Sequence, residues 1–239
     1  MFVGTSGWTY GDWVGEFYPP EVKGAGRLGY YARHFDTVEV NVSFYRVPTE
    51  PMVKAWNAHL PPGFHLVLKG TRLVTHRKRL ADCQDELAFF LERVQALEHL
   101  KLVLWQLPPS LGKKTGLLAR FLESLPDTMR HAVEFRHPSW WSEDVHELLG
   151  KHRAAFVAVS HPTLPDDIPP TADFLYLRFH GLGEELHGYE YREPELRRWV
   201  ERVEPLLEGR VLYAFFNNDR RAHAVRNALL FRELLGEGS

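Results

Sequence analysis

The chain has 239 residues, a formal net charge of -2 and one cysteine, Cys83. That length suffices for one large domain with a substantial core, and α/β barrels of about 250 residues are common. The near-neutral charge removes any global attraction to nucleic acid or anionic membrane, the lone cysteine excludes an internal disulfide and a cysteine-based zinc site, and no apolar run reaches the roughly 18 residues of a membrane span. The opening Met1-Phe2-Val3-Gly4-Thr5 shows no basic segment followed by an apolar stretch, so the expected setting is cytoplasmic.

In chain order, Phe2–Ser6 reads as a first strand, followed by an aromatic, glycine-rich loop with Trp8, Tyr10 and Trp13. A short helix is expected over Leu28–Phe35. Thr37–Asn41 is the second strand, with Val38 and Val40 on one side and Glu39 and Asn41 on the other; Ser43, Tyr45 and Arg46 lie in its loop. Thr49 is the expected N-cap of a helix with Pro51 in its first turn. Strand three is His65–Lys69, then the basic run Thr71–Leu80, then an amphipathic helix over Asp85–His99. Leu102–Leu107 is strand four, ended by Pro108-Pro109, with a helix around Leu117–Leu125. Strand five carries Glu134 and Arg136 before His137-Pro138-Ser139-Trp140. A helix over Glu143–His152 leads to strand six, Phe156–Ser160, and a proline-rich loop from Pro162 to Pro170. Strand seven, Phe174-Leu175-Tyr176-Leu177-Arg178-Phe179-His180, leads into Gly181-Leu182-Gly183. A helix over Glu195–Leu207, strand eight at Val211–Phe216, and a final helix Arg220–Leu235 opened by Asn217-Asn218-Asp219 complete the chain.

Eight strands alternating with helices or helix-length connections predict a parallel sheet closed into a TIM-barrel-like (β/α)8 single domain over residues 1–239. The same pattern recurs on most strands: an apolar run, then polar groups at its C-terminal end. Active sites of such barrels lie at that end.

Several motifs occur together and in order. They are Gly4-Thr5-Ser6-Gly7-Trp8, Phe17-Tyr18-Pro19, Thr37-Val38-Glu39-Val40-Asn41 with Phe44-Tyr45-Arg46, Thr75-His76, and Gln106-Leu107-Pro108-Pro109. Glu134-Phe135-Arg136 with Ser139-Trp140, Arg178-Phe179-His180-Gly181 and Phe216-Asn217-Asn218-Asp219 follow. The set covers nearly the whole chain and resembles the YecE-like family, also called domain of unknown function 72. The resemblance implies a TIM-barrel-like fold of unassigned biochemical activity and carries over no catalytic residue. Ser160-His161-Pro162 departs from it, since many relatives are expected to carry an acidic residue there.

The expected mouth gathers Glu39, Lys69, Glu134 and His180 as candidate catalytic groups. Either carboxylate would act as base, and His180 or Lys69 as acid. Asn41, Arg46, His76, Gln106, Arg136, His137, Arg178, Asn217, Asn218 and Asp219 are candidate ligand contacts, with Trp8, Tyr45 and Trp140 as candidate stacking rings. The plain alternative is a self-satisfied network in which Glu134 pairs with Arg136 or Lys69, and Glu39 with Arg178. An excess of donors points to a small anionic ligand, above all a phosphate-bearing one such as a phosphosugar or a nucleic-acid segment. Gly181-Leu182-Gly183 and the helix after strand eight offer a phosphate cradle. Hydrolysis or isomerisation there competes with a non-catalytic binding barrel. A metal-dependent phosphodiesterase or sugar isomerase would draw on Glu39, Glu134, His137, His161, His180 and Asp219. Arg136, Arg178 and Lys69 would repel a cation, so no metal ligand or cofactor is assigned and a divalent metal stays open. The basic run Arg72–Arg79 extends the anion reading to nucleic acid, and no membrane partner is expected.

Overall fold

The computed structural model describes residues 1–236. Among them, eight strands form one parallel sheet in the order β1-β8-β7-β6-β5-β4-β3-β2. The strands are β1 (Phe2–Thr5), β2 (Thr37–Val40), β3 (His65–Lys69), β4 (Leu100–Gln106), β5 (Arg130–Glu134), β6 (Ala155–Ser160), β7 (Phe174–Phe179) and β8 (Val211–Phe216). Ser6 bridges Glu39 in parallel register, which brings β1 onto β2 and nearly closes the barrel. Gly4 permits that approach: a Cβ there would stand 2.4 Å from the Thr37 carbonyl oxygen.

Alternation along each strand divides the core in two. Val67, Leu102, Leu104, Val157, Val159, Phe174, Tyr176, Tyr213 and Phe215 fill the lumen. Val38, Val40, Leu66, Leu68, Val103, Trp105, Val133, Leu175, Leu177 and Leu212 face the helical shell. Both strand faces are thus dry, so the strands read as near-continuous apolar runs. The shell comprises α1 (Gly26–Tyr31), α2 (Val42–Tyr45), α3 (Glu50–His59), α4 (Gln84–Val94), α5 (Thr115–Glu123), α6 (Glu143–Lys151), α7 (Glu193–Val203) and α8 (His223–Leu234). Among the described residues no helix is long and apolar enough to cross a membrane.

Several local expectations shift. The segment expected as a loop after β2 winds into α2, and part of the basic run forms a π-helical turn, with the Lys78 amide donating to the Leu73 carbonyl at 2.9 Å. Thr49 holds the N-cap position of α3 with extended backbone, but its side chain makes no capping bond. Helix α4 stops at Val94, five residues before His99, and tighter turns carry the chain into β4. The last helix starts at His223, because Arg221 and Ala222 adopt left-handed backbone (φ 50° and 55°) and break it from the Arg220–Ala222 turn. Asn218 and Asp219 therefore precede a kinked turn and do not open α8.

Candidate functional site

At the C-terminal end of the barrel, polar side chains replace the apolar lumen layer. Glu39 from β2, Glu134 from β5 and Arg178 from β7 are all buried. Arg178 spans the barrel between the two acids: its Nη1 donates to Glu134 Oε2 (2.5 Å) and its Nη2 to Glu39 Oε1 (2.6 Å). Ser6 Oγ also donates to Glu39 Oε1 (2.7 Å), and the Tyr176 hydroxyl donates to Glu39 Oε2 (2.5 Å). Burial, with the Glu39 charge next, drives the Tyr176 hydroxyl well above its ordinary pKa and keeps it a donor. Tyr176 escaped the sequence reading. Its only signal was its place two residues before Arg178, on the same inward face.

Arg136, just beyond β5, lies over Glu134. Its Nε donates to Glu134 Oε1, and its Nη2 reaches His180 Nε2 at 2.8 Å. His180 Nε2 also lies 3.2 Å from Glu134 Oε1, so the ring sits between the guanidinium and the carboxylate. Asn217 Nδ2 lies 3.2 Å from His180 Nδ1. Burial and the Arg136 charge hold His180 neutral, well below the usual imidazole pKa. Burial alone would raise the Glu134 pKa, but the charges of Arg136 and Arg178 overcome it and hold this carboxyl well below the usual range. Both of its oxygens are bonded to guanidinium groups, so it sits in the mouth as a spent anion.

Lys69, at the end of β3, differs from its neighbours. It is partly buried, and its Nζ lies 4.3 Å from the centroid of the Phe44 ring on α2. Among the described residues it has no ion-pair partner. Burial first, then the charge of Arg178, lowers its pKa from 10.5 to about 8. His76 packs edge-on against the same ring at 4.9 Å, with its Nδ1 2.9 Å from Thr75 Oγ1. Burial and the charges of Lys69 and Arg136 lower its pKa as well. Tyr45 is 67% exposed beside Phe44, and Arg46 is exposed next to it. Phe44 thus joins the loops after β2 and β3, a role with no local signal in the chain.

Other candidates lie in different surroundings. Trp8 is buried against Trp56, and Trp140 is buried on Phe135 with its Nε1 donating to the Leu111 carbonyl (2.7 Å). Gln106 ends β4 and donates to the Leu107 carbonyl (2.8 Å), and Asn41 donates to the Ser6 carbonyl (3.3 Å). His137 caps the Pro138–Trp140 turn by accepting from the Ser139 amide. Asn218 is buried and donates to the Tyr189 carbonyl and Asn227 Oδ1, while Asp219 faces His187 at 3.0 Å. Gly181 has φ +104°, and a Cβ there would lie 2.3 Å from the Leu186 carbonyl. The close approach it permits is therefore made by the chain's own backbone. Among the described residues, no group of three or more His, Cys, Asp or Glu side chains could hold a metal ion.

The plain ion-pair scheme thus matches much of this geometry: Glu134 holds Arg136, and Glu39 holds Arg178. Counting Glu39 and Glu134 against Arg136, Arg178 and Lys69 leaves one surplus positive charge when Lys69 is protonated.

Comparison with known proteins gives a consistent setting for this barrel. The UPF0759 protein YecE of Escherichia coli is 30% identical over 149 residues, which are 62% of this chain and 52% of YecE. The matched stretch therefore spans about half the length of that relative. The UPF0759 protein YunF of Bacillus subtilis is 25% identical over 269 residues, covering 98% of this chain and 94% of YunF. The crystal structure of a DUF72 family protein from Thermotoga maritima superposes with a TM-score of 0.86 at 35% identity, covering 99% of both chains. The family described as "Protein of unknown function DUF72" matches residues 2–239, from the first strand through the last helix, and the chain belongs to that family.

Proposed function

We propose that the barrel mouth binds a phosphate-bearing ligand, with Arg136 and Lys69 facing its anionic end. The observation that carries this reading is the imbalance of the mouth. Both buried carboxylates are saturated by Arg178, Arg136, Ser6 and Tyr176, whereas Lys69 has no counter-ion among the described residues. An anion would supply the missing charge in a site whose dielectric is low enough for it to count. Lys69 and His76 are then the groups free to move protons in a hydrolysis or isomerisation, since neither is held by a carboxylate. A phosphosugar would bring such an anion. The exposed cations Arg46, Arg72, Arg77 and Arg79, with the exposed ring of Tyr45 beside Phe44, favour a second reading in which the phosphate belongs to a single-stranded nucleic acid.

The test is a thermal-shift panel of phosphosugars, nucleotides and short single-stranded DNA, with turnover followed on every compound that binds. A ligand at about 100 times its dissociation constant adds about 2.7 kcal/mol, or on the order of 5–10 °C for a chain of this size. The expected result is a shift that disappears in Arg136→Gln. A shift that survives this change, or silence across the panel, defeats the reading. A shift without turnover supports a non-catalytic binding barrel, and a steep salt dependence that flattens in Arg77→Ala/Arg79→Ala selects nucleic acid.

A further inference from the structure

We propose that Lys69 is a covalent nucleophile, condensing with the carbonyl carbon of an open-chain sugar phosphate or similar carbonyl-bearing phosphate ester to form an imine at the barrel mouth. The proposal rests on the anion reading above, with Arg136 holding the phosphate.

The case starts from what Lys69 lacks. Lys78 is paired with Glu86 and Lys113 with Asp144. Lys69 stands in a ring of strand ends that contains two carboxylates, yet pairs with neither, because Arg178 and Arg136 have taken them. Its Nζ lies against the Phe44 ring, which attracts the ammonium but binds none of its protons, so the lone pair is free once the ammonium loses a proton. Burial and then the neighbouring guanidinium charge disfavour the ammonium, and a pKa of about 8 leaves roughly a tenth of the amine free at pH 7 and about half at pH 8. His76 lies on the same ring. Its Nδ1 is engaged by Thr75 and its Nε2 is without a partner among the described residues, so it can carry protons to and from the reacting oxygen.

The chemistry balances without a further reagent. The Lys69 lone pair forms the C–N bond while the C=O π pair moves to oxygen, and a proton passes from nitrogen to that oxygen to give a carbinolamine. His76, neutral at rest, relays the second nitrogen proton to the hydroxyl as the C–O bond breaks and water leaves. The second nitrogen proton is lost as C=N forms, giving imine and water from amine and carbonyl.

The test incubates the full chain with glyceraldehyde 3-phosphate or with glyceraldehyde at about pH 8, adds sodium borohydride, and maps adducts by peptide mass spectrometry. Reduction of the imine adds the probe less one oxygen atom. We expect glyceraldehyde 3-phosphate to label Lys69 at least about tenfold more than the exposed Lys54 and Lys151. The adduct is expected to be lost in Lys69→Arg, which keeps the charge, and to be strongly reduced in Arg136→Gln. Labelling of Lys69 no greater than that of Lys54 and Lys151 overturns the proposal, whether or not the phosphate shifts the melting temperature. A thermal shift without an adduct removes the imine and keeps the anion site. Equal labelling by the two probes does the reverse: it keeps the nucleophile and removes the phosphate from its substrate.

Discussion

Glu134→Gln tests whether the saturated carboxylate network supports the fold. Glu134 is fully buried and accepts from Arg136 and Arg178. The substitution keeps the shape and one accepting oxygen, but it removes the charge and turns an amide N–H₂ toward a guanidinium. Removing one partner of a buried pair costs about 3–5 kcal/mol, because the remaining charge is left uncompensated. The retained oxygen places the expected loss near about 3 kcal/mol, a fall in Tm of on the order of 10 °C. Differential scanning calorimetry at neutral pH measures it directly. Glu39→Gln should cost less, since Arg178 keeps its bond to Glu134, the amide oxygen at the Oε1 position still accepts from Ser6, and the Tyr176 hydroxyl can turn to accept from the new N–H₂. The double variant should lose about 1 kcal/mol more than the sum, because Arg178 then has no carboxylate left. The pH dependence has a fixed sign. Glu134 is depressed in the folded state, so its contribution is fully present above the unfolded value near about 4.3 and is lost only as the pH falls through its lower folded value. The Tm gap between wild type and Glu134→Gln should stay constant from about pH 5 to 8 and close only in stronger acid. A fall below about 2 °C in Glu134→Gln, or strictly additive single variants, would refute the reasoning.

Lys69→Met should raise Tm at neutral pH by several degrees, because it removes an unpaired cation from a desolvated site and keeps the stem that packs on Phe44. The folded state binds fewer protons than the unfolded one between about pH 8 and about 10.5, so wild-type stability should rise with pH in that window. A pH–Tm scan in which Lys69→Met shows the same alkaline rise would contradict this. His131 is held neutral by burial, with its pKa pushed down to about 4, while Trp105 Nε1 donates to its Nδ1 at 3.2 Å and its Nε2 faces the Pro126 carbonyl at 3.0 Å. Its unfolded form protonates below about 6.5, so folded stability falls as the pH drops from there toward 4, by up to about 3 kcal/mol. Urea midpoints at pH 7 and 5 should show a smaller acid loss in His131→Gln than in the wild type, the remainder coming from other histidines held neutral by burial, His65 and His180 among them.

Strand alternation made the fold legible. Glu39, Lys69, Glu134 and Arg178 all follow the inward phase of their strands, and β3 and β8 have the expected limits, because apolar runs stopped by Gly or charge mark strand ends well. What failed was set by non-local or weakly encoded geometry. Nothing local to Arg221 and Ala222 announces left-handed backbone, so the start of α8 was read three residues early. The aromatics around the mouth motifs looked like one class, yet Trp8 and Trp140 pack into the shell while Tyr45 stays exposed. Their positions depend on partners far along the chain, Trp56 and Leu111 among them. Arg178 was recognised as a cation at a strand end. That it would span two carboxylates from β2 and β5 required the closed barrel.

The network also bears on why the mouth is polar at all. Apolar side chains like those of Val67, Leu102 and Val157 elsewhere in the lumen would close the barrel at no electrostatic cost, and exchanging buried ion pairs for apolar groups is often neutral or stabilising. Charge is therefore maintained here against stability, and its arrangement indicates what it maintains. Arg178 fixes Glu134, and Glu134 fixes Arg136, whose remaining Nη1 has no partner among the described residues. Saturating both acids also leaves Lys69 unpaired. Two cations are thus held in place, one as a rigid fork and the other as an amine on an aromatic face, before any ligand arrives. The ordering and desolvation that an anion would otherwise have to offset are already built into the folded barrel. On this view Glu39 and Glu134 act as supports for the groups that meet the ligand, so their substitution should be felt first in stability and only through Arg136 and Lys69 in binding.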